Sequence, residues 1–282
     1  MNMPFPDICA VVVYFRTRNT LATCLAALRD QSVAPKEIVV VDNSSAEDGQ
    51  TIPPVAEGDW LWLRSEENLG YGAACNAGVA ATSSPLVLFL NADVTLRPGA
   101  LAALRRRLLA NRQTAVVGPR IWDAKGEVEL SARDFPSMRT GLLGRSSLMT
   151  KMLVRLGRPP AGVAAALDGP RRVDWVSGAC QLVRRSEFRA VGGFDEEYWM
   201  YWEDADLCWR IAEQGGHVWF EPAAQADHQT GASGQSQRTI RAFHESASRF
   251  YERHLARSWL DASMVRAGLL VRAHTRARRL PS

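Results

Sequence analysis

The chain has 282 residues, 46% of them hydrophobic and 23% charged, with a net charge of +4, a composition typical of one large globular α/β domain or two small ones. Its five cysteines are scattered without a CxxC pair, which argues against a zinc or disulfide framework and predicts reduced thiols in a cytosolic setting. The first residues lack a basic segment and no apolar run reaches about 18 residues, so we expect neither a secretion signal nor a transmembrane helix.

The N-terminal part of the chain alternates between buried strands and helices. Continuous apolar, β-branched runs are typical of strands buried on both faces of a parallel sheet, and apolar residues at helical spacing indicate helices. The alternation predicts an α/β fold with a parallel sheet. We predict strands at residues 8–15, 37–41, 60–64 and 85–90, and helices at 17–30 and 73–81.

Polar residues follow three of these strands at the point where each strand ends. They are residues 14–18, 42–45 and 91–93, and in open parallel sheets ligands bind beyond the carboxyl ends of the strands. The first strand is not followed by GxGxxG, and the chain has no Walker A motif. The sequence therefore predicts a ligand site at this edge that is neither a Rossmann dinucleotide site nor a P-loop.

The second half of the chain contains further helices and strands and one basic segment. Residues 139–158 carry no acid and have apolar residues near helical spacing, so they form either a solvated surface helix or a helix on an anionic membrane. We predict helices at 98–111 and 239–256, strands at 115–119, 172–184 and 217–220, and a polar loop at 221–234.

Residues 198–210 combine aromatic side chains with three carboxylates within four positions. A helix over 203–214 places Asp204 on the inward face with Leu207 and Cys208, whereas Glu203 and Asp206 lie on a polar stripe. An inward carboxylate is costly to desolvate unless it is paired or used in chemistry. Alternatively, Asp204 is an acid of the first helical turn, where the helix dipole favours negative charge. Position alone leaves both interpretations open.

Six short motifs follow one another along the chain: VVVYFRTRNTLATCLAALRDQS from Val11, VVVDNSS from Val39, ENLGYGAACNAG from Glu67, FLNADV from Phe89, VSGACQLVRRSEFRAVGGFDEEYWMYWEDADLCWRIAEQGG from Val176, and ADHQTGAS around His228. Together they resemble the family 2 inverting glycosyltransferases of the GT-A fold, in particular their bacterial rhamnosyltransferase-like branch. The resemblance implies a single Rossmann-like, mostly parallel central sheet flanked by helices. It also implies a transferase domain over residues 1–235, with a nucleotide-binding half at about 1–120 and an acceptor half at about 121–235. A basic helical extension over 236–282 follows.

The resemblance implies that a nucleoside-diphosphate sugar, with dTDP or UDP as the nucleotide, binds at the carboxyl edge of the sheet. Asp42 would meet the base, although a turn former at a strand end is the alternative reading of this residue. The glycines after Asn68 would let the backbone approach the nucleotide, because a side chain there would clash. The donor-binding residues implied in this way are Tyr14, Arg16, Asp42, Asn68, Gly70, Asn91, Trp175, Ser177 and Gly178.

The resemblance also implies a divalent cation, Mg²⁺ or Mn²⁺, on the donor diphosphate. Residues 91–93 occupy the position of the family's DxD motif, but Asn91 replaces the first acid, which leaves Asp93 as the direct ligand. His228 matches a later family histidine that can complete the metal shell. Both cations prefer hard oxygen ligands and keep waters while bridging phosphates. Without the family, a lone loop histidine would be read as a surface residue.

Asp204 matches the family's catalytic base, which takes the proton from an acceptor hydroxyl as that hydroxyl attacks the anomeric carbon. Glu203 is expected to assist by orienting the base or the acceptor. One base without a covalent intermediate implies inversion of configuration. The acceptor-binding residues implied are Trp199, Tyr201, Trp202 and Asp206.

These observations predict transfer of a sugar, rhamnose or a related hexose, to a glycan or a lipid-linked glycan in polysaccharide and cell-envelope biosynthesis. The alternative is a non-catalytic sugar-nucleotide-binding protein on the same fold. Asn91 in place of the first DxD acid favours this alternative, whereas the intact Glu203 and Asp204 argue against it.

The positive charge of the chain is concentrated at its C-terminus. From Arg238 onward there are ten arginines and three acids, which leaves residues 1–237 with a net charge of −3. The apolar residues between these arginines suit lipid better than nucleic acid. We therefore expect a cytoplasmic protein in peripheral contact with the inner face of the cell membrane through its basic segments, without a nucleic-acid partner.

Overall fold

The computed structural model describes residues 5–44, 59–135, 169–229 and 236–277, so the basic segment at 139–158 lies outside the described residues. The strands are β1 (Phe5–Tyr14), β2 (Pro35–Asp42), β3 (Leu61–Arg64), β4 (Leu86–Asn91), β5 (Val94–Leu96), β6 (Thr114–Trp122), β7 (Ala132–Arg133), β8 (Arg171–Val173), β9 (Trp175–Val176), β10 (Cys180–Arg184) and β11 (His217–His228). The helices are α1 (Arg18–Arg29), α2 (Tyr71–Ala80), α3 (Ala100–Leu109), α4 (Arg185–Ala190), α5 (Glu203–Glu213), α6 (Gln237–His254) and α7 (Trp259–Ala277).

A nine-stranded mixed sheet forms the centre of the described residues, in the order β3-β2-β1-β4-β10-β6-β11-β5, with β8 paired to β11. β1, β2, β3, β4, β6 and β11 run in one direction, and β10, β5 and β8 run against them. The predicted mostly parallel central sheet flanked by helices is therefore confirmed. A second sheet in these residues pairs β7 with β9.

The core forms on both faces of the sheet because the central strands are apolar throughout. Along β1, Ile8, Ala10 and Val12 pack on one face, against α1 and α3. Cys9 and Val11 pack on the other face, against α2 and α5. All five cysteines are buried and free, which agrees with the predicted absence of a disulfide framework.

The last strand is longer than the sequence predicts. β11 extends to His228, so the predicted loop at 221–234 is wrong for its first eight residues. Gln225 to Asp227 pair in parallel with the end of β6 after a register shift, and His228 pairs with Val94 of β5. The polar residues at 221–228 have the sequence pattern of a loop, because the partners that bury and pair them are distant in sequence. Glu221, for example, is 3% exposed and is paired with Arg107 at 2.8 Å.

Helix α6 packs onto the part of the chain that precedes the predicted boundary at residue 235, and α7 packs onto α6. Phe250 of α6 is 1% exposed and packs among aromatic residues of the preceding domain, including Trp202 and Trp209. Tyr251 of α6 donates a hydrogen bond to Asp261 of α7 at 2.8 Å, which links the two helices near their connection. No helix in the described ranges combines the length and the apolar character that membrane crossing requires.

Candidate active site

A cavity of about 340 Å³ lies at the carboxyl edge of the sheet, beside the ends of β1 and β4. β1 and β4 are neighbours in the sheet, and β2 and β3, the strands that follow β1 in the chain, are added on the side away from β4. Such a switch point between two parallel strands is where α/β sheets commonly bind ligands. The three predicted polar clusters meet there, together with the aromatic segment before α5. The lining residues include Arg16, Asn43, Asn68, Tyr71, Asn91, Asp93, Trp199, Tyr201 and Arg238.

Two residues predicted to bind the donor lie behind the cavity wall instead of lining it. Tyr14 is 2% exposed, and its ring packs 6.1 Å from that of Trp62. The Asp42 carboxylate is 4% exposed and accepts a hydrogen bond from the Ser44 amide at 3.0 Å. A donor base would reach Asp42 only after Asp42 or its neighbours moved. Arg16, in contrast, lines the cavity with a left-handed backbone (φ 54°).

Asn43 belongs to the predicted polar cluster at residues 42–45, but the sequence prediction did not assign it the role of connecting two parts of the cavity wall. Its amide Nδ2 donates to Asn68 Oδ1 and to the Gly70 carbonyl, both at 3.1 Å. Its Oδ1 accepts from the Leu69 amide at 2.9 Å. Asn43 therefore holds the loop before α2 against the end of β2.

Gly70 is needed for a reason other than the one predicted. A Cβ on Gly70, which has φ +88°, would lie 2.1 Å from the carbonyl oxygen of Trp199. That oxygen accepts a hydrogen bond from the Tyr71 amide at 3.1 Å, and the Trp199 indole donates to the Asn68 carbonyl at 3.3 Å. The glycine thus admits a neighbouring backbone of the protein, whereas the prediction assigned that space to the nucleotide.

Asp93 and His228 are 135 positions apart and meet at the edge of the cavity because β5 pairs with the end of β11. Asp93 Oδ1 lies 3.4 Å from His228 Nε2, and the other ring nitrogen, Nδ1, lies 3.2 Å from Glu129 Oε2. Burial alone would lower the pKa of His228, but the two carboxylates outweigh it and raise this pKa to about 9. The sequence prediction did not include Glu129.

The donor atoms of this pair suit a divalent cation. Two neighbouring ligand atoms, each about 2.1 Å from an octahedral ion, lie about 3 Å apart, which is close to the separation of Asp93 Oδ1 and His228 Nε2. A carboxylate on the second ring nitrogen is the usual companion of a metal-binding histidine. Within the described ranges, no group of three or more His, Cys, Asp or Glu side chains has a metal-holding arrangement. The candidate is therefore a two-residue site.

Asp204 lies in the first turn of α5, and backbone amides hold both of its carboxylate oxygens. Gly178 N donates to Oδ2 and Ala205 N to Oδ1, each at 2.8 Å. Burial raises the pKa of Asp204, while these two hydrogen bonds act against the rise. Asp204 does not line the cavity directly, but Tyr71 does, and the Tyr71 hydroxyl donates to the Gly178 carbonyl. Gly178 therefore lies between the Asp204 carboxylate and Tyr71 of the cavity wall.

Glu203 and Asp206 are not on a solvated stripe. Glu203 lies beside α2, where its Cβ is 3.7 Å from the position of an added Cβ on Gly72, and α6 covers Asp206. Glu203 is 6% exposed; burial, followed by the charge of Asp204, raises its pKa well above the usual value. Asp206 is 1% exposed and contacts His254 Nε2 of α6 at 2.8 Å and Arg210 at 2.6 Å. Burial would raise the pKa of Asp206, but these two partners lower it. The predicted acceptor contact for Asp206 would require this network to open.

The aromatic residues before α5 differ in what they offer a substrate. Trp199 lines the cavity with the Arg238 guanidinium 3.9 Å from its ring centroid. Tyr201 is 40% exposed. The Trp202 ring instead packs 5.2 Å from that of Phe250, so it belongs to the core. Tyr201 and Trp202 both have left-handed backbones, with φ of 67° and 70°.

The segment from β9 to β10 contacts Asp204 without lining the cavity. Trp175 stacks 6.4 Å from Trp202, and Ser177 donates its amide to the Ser131 carbonyl at 2.8 Å. Gly178 provides the amide that holds Asp204. An added Cβ on Gly178 would lie 3.3 Å from the Asp204 Cβ. Of the predicted donor residues in this segment, Gly178 is the one in direct contact with Asp204.

Comparison with known families gives matches over most of the chain. Residues 9–166 match the family described as Glycosyl transferase family 2, and residues 159–230 match the family described as N-terminal domain of galactosyltransferase. The first match alone covers more than half of the chain.

Curated relatives include two transferases named for rhamnose. The chain is 29% identical over 284 residues to N-acetylglucosaminyl-diphospho-decaprenol L-rhamnosyltransferase of Mycobacterium tuberculosis, an alignment that covers 95% of this chain and 92% of the relative. It is also 29% identical over 143 residues to Rhamnosyltransferase WbbL of Escherichia coli, with coverage of 50% and 51%.

Solved structures share the fold at low sequence identity. The structure of GalNAc-T7 with UDP, GalNAc and Mn²⁺ aligns with a TM-score of 0.57 and 17% identity, over 93% of this chain and 54% of that one. The structure of S. aureus TarS 1–349 aligns with a TM-score of 0.55 and 15% identity, over 96% and 73%.

Proposed function

The chain belongs to glycosyl transferase family 2 and is a glycosyltransferase, and from this premise we propose a specific reaction. The protein transfers rhamnose or a related hexose from a dTDP- or UDP-sugar to a glycan or lipid-linked glycan, with inversion at the anomeric carbon. The relatives named as rhamnosyltransferases support the choice of sugar. The name of the first relative also supports a lipid-linked acceptor.

The observation that carries this proposal is the meeting of Asp93 and His228 at the edge of the cavity. Both residues would hold Mg²⁺ or Mn²⁺, and Glu129 would orient the imidazole through its second nitrogen. When bound, the cation neutralises the diphosphate that leaves with the nucleotide. Asn91 also lines the cavity, and its amide would contact the ribose or a phosphate, so that Asp93 is the direct acidic ligand.

Asp204 would accept the proton of the acceptor hydroxyl as its oxygen attacks the anomeric carbon. The two amides that fix the carboxylate leave a lone pair on each oxygen for that hydroxyl. Burial and the charge of Asp204 raise the pKa of Glu203, which favours a protonated Glu203 beside the ionised Asp204. Attack from the side opposite the diphosphate leads to inversion in one step.

The test is transfer from a panel of nucleotide sugars with and without Mn²⁺ or Mg²⁺, in wild type, Asp204→Asn and the matched exposed control Asp59→Asn. We expect metal-dependent transfer from one donor, with inverted product seen by NMR. Asp204→Asn should lower kcat at least about 10²-fold and leave nucleotide binding unchanged, while Asp59→Asn behaves as wild type. Nucleotide binding without turnover of any donor, even with lipid-linked acceptors supplied, would overturn the proposal in favour of the non-catalytic alternative.

Peripheral membrane contact forms the second part of the proposal, and α7 is the described segment that supports it. Its inner side packs on α6, with Ala273 6% exposed. Met264 and Val271, 69% and 65% exposed, point away from α6 on one ridge, and Arg272 lies on one side of this ridge. An exposed apolar ridge with a basic residue beside it suits an anionic lipid surface.

Sedimentation with anionic phospholipid vesicles tests this contact. We expect Met264→Glu to reduce vesicle binding about tenfold, since it places a charge in the apolar ridge. The control is Leu109→Glu, which changes an exposed leucine on α3 (44% exposed) and should bind as wild type. Equal binding by Met264→Glu and wild type would contradict docking through α7.

A further inference from the structure

A second cavity, of about 410 Å³, opens beside the first between one face of α6 and the segment before α5. The two cavities share Trp199 and Arg238. The Arg238 guanidinium lies over the Trp199 ring at 3.9 Å, so this stacked pair forms the boundary between them. A substrate in the first cavity can therefore extend into the second.

Arginines dominate the charged lining of the second cavity. Arg249 Nη1 is paired with Glu197 Oε2 at 2.5 Å, so that this arginine is already neutralised. Among the described residues, neither Arg238 nor Arg241 forms an ion pair, and both are exposed on the face of α6 that lines the cavity. Glu245 is the remaining acid of the lining. The cavity therefore has an excess of positive charge and two arginines available to a ligand.

The same helix connects this cavity to the membrane-facing side of the protein. α6 carries both arginines on one face and packs against α7, whose ridge of Met264 and Val271 faces outward. A lipid-linked sugar acceptor has its lipid in the membrane and its sugar near Asp204, so that its phosphates lie between the membrane and the active site. The exposed arginines of α6 are the cations that lie along this path.

We propose that the second cavity binds the diphosphate of a lipid-linked sugar acceptor, with Arg238 and Arg241 as its ligands. This inference rests on the proposed transferase function and names the chemical group by which the acceptor is recognised. Arginine suits this task because its planar guanidinium binds phosphate oxygens in pairs. The stacking of Arg238 on Trp199 would hold that guanidinium in place between the acceptor sugar and its phosphates.

The donor also carries a diphosphate, so the experiment has to separate the two sources. We would measure transfer in detergent to two short-chain acceptors that carry the same sugar, one through a diphosphate and one through a neutral ether. Donor hydrolysis without acceptor is measured in parallel. The proteins are wild type, Arg241→Gln, which changes an arginine that lines the second cavity and not the first, and the control Arg106→Gln, which removes the same charge from an exposed site outside both cavities.

We expect wild type and the control to prefer the diphosphate acceptor, measured by kcat/KM. The cavity variant should lose about tenfold in kcat/KM for that acceptor only, equivalent to about 1.4 kcal/mol. Its activity with the ether acceptor and its donor hydrolysis should be unchanged. A matching loss with both acceptors and in hydrolysis would assign Arg241 to the donor and overturn the inference. Retention of the preference by the cavity variant would overturn it as well. Absence of transfer by wild type would refute the proposed function instead.

Discussion

Replacement of Gly70 by alanine tests whether the loop before α2 and the Trp199 carbonyl are as closely packed as the structure indicates. The new Cβ would lie 2.1 Å from that oxygen, well inside the 3.0 Å below which Cβ contacts essentially never occur. Gly126 is the control for a positive φ without a close contact, because its φ is +76° and an added Cβ there meets nothing within 4 Å. Gly70, with φ +88° and ψ 170°, lies in addition in a backbone region that is essentially restricted to glycine.

The expected magnitudes follow from these two environments. Gly126→Ala introduces only the cost of a left-handed alanine, about 1–2 kcal/mol. Gly70→Ala adds about 1–3 kcal/mol for overpacking, and a displaced Trp199 would lose the 3.1 Å hydrogen bond from Tyr71, worth about 1 kcal/mol. We therefore expect Gly70→Ala to lose about 4 kcal/mol of unfolding free energy, and Gly126→Ala about 1.5 kcal/mol.

Urea unfolding monitored by tryptophan fluorescence measures both values. The midpoints should separate at an unchanged m-value, since a change in m would signal a different denatured state. Gly126→Ala should keep wild-type kcat and KM, whereas Gly70→Ala should also lose transferase activity because Trp199 lines the cavity. Equal destabilisation of the two variants would refute the argument, because it would leave backbone strain as the whole cost.

Three further predictions concern the carboxylates of Glu129, Glu203 and Asp206. Glu129→Gln should weaken Mn²⁺ binding about 10- to 100-fold by isothermal titration, because His228 loses its charged partner. The control Glu127→Gln, at an exposed neighbouring site, should bind Mn²⁺ as wild type. Equal Mn²⁺ affinities of Glu129→Gln and wild type would contradict this role of Glu129. The Glu203 pKa is raised in the folded protein, so the fold binds this proton more tightly than the unfolded chain, and the unfolding free energy should fall as pH rises above about 4.3. Glu203→Gln should flatten this dependence between pH 5 and 8, and an unchanged slope would count against it. Asp206→Asn should cost about 3 kcal/mol at pH 7, because it removes the carboxylate that pairs with the Arg210 guanidinium inside the fold. Because the Asp206 pKa is lowered, the cost should shrink as pH falls through that pKa. Stability equal to wild type at pH 7 would refute the network.

The sequence was sufficient to predict the sheet and the edge that carries the site. Apolar runs mark β1, β2 and β4 without reference to their neighbours, since strands buried on both faces need no alternation. The polar residues that follow them, such as Asn91, then had to lie at one edge. The family resemblance added His228, which no local pattern singles out.

The remaining features depend on contacts between distant parts of the chain. Glu129 lies in a turn after β6 without any periodic pattern, and its partner His228 is 99 positions later. The polar end of β11 forms a strand because β5 and β6 supply its hydrogen bonds. Asp206 has the sequence pattern of a surface acid, and its burial becomes visible only once α6 is in place.

The packing of α6 against α5 also has a consequence for how such genes can be recombined. The family matches end at residue 230, yet Phe250 of α6 covers Trp202 and Trp209, and His254 Nε2 contacts Asp206 Oδ1 at 2.8 Å. A chimera that joined residues 1–235 of this chain to the C-terminal helices of a relative would lose these contacts. It would expose an aromatic patch and leave a buried charge unpaired. Helices α5 and α6 therefore have to come from the same parent, and chimeras of two relatives should fold when the crossover lies outside the interval from α5 to α6.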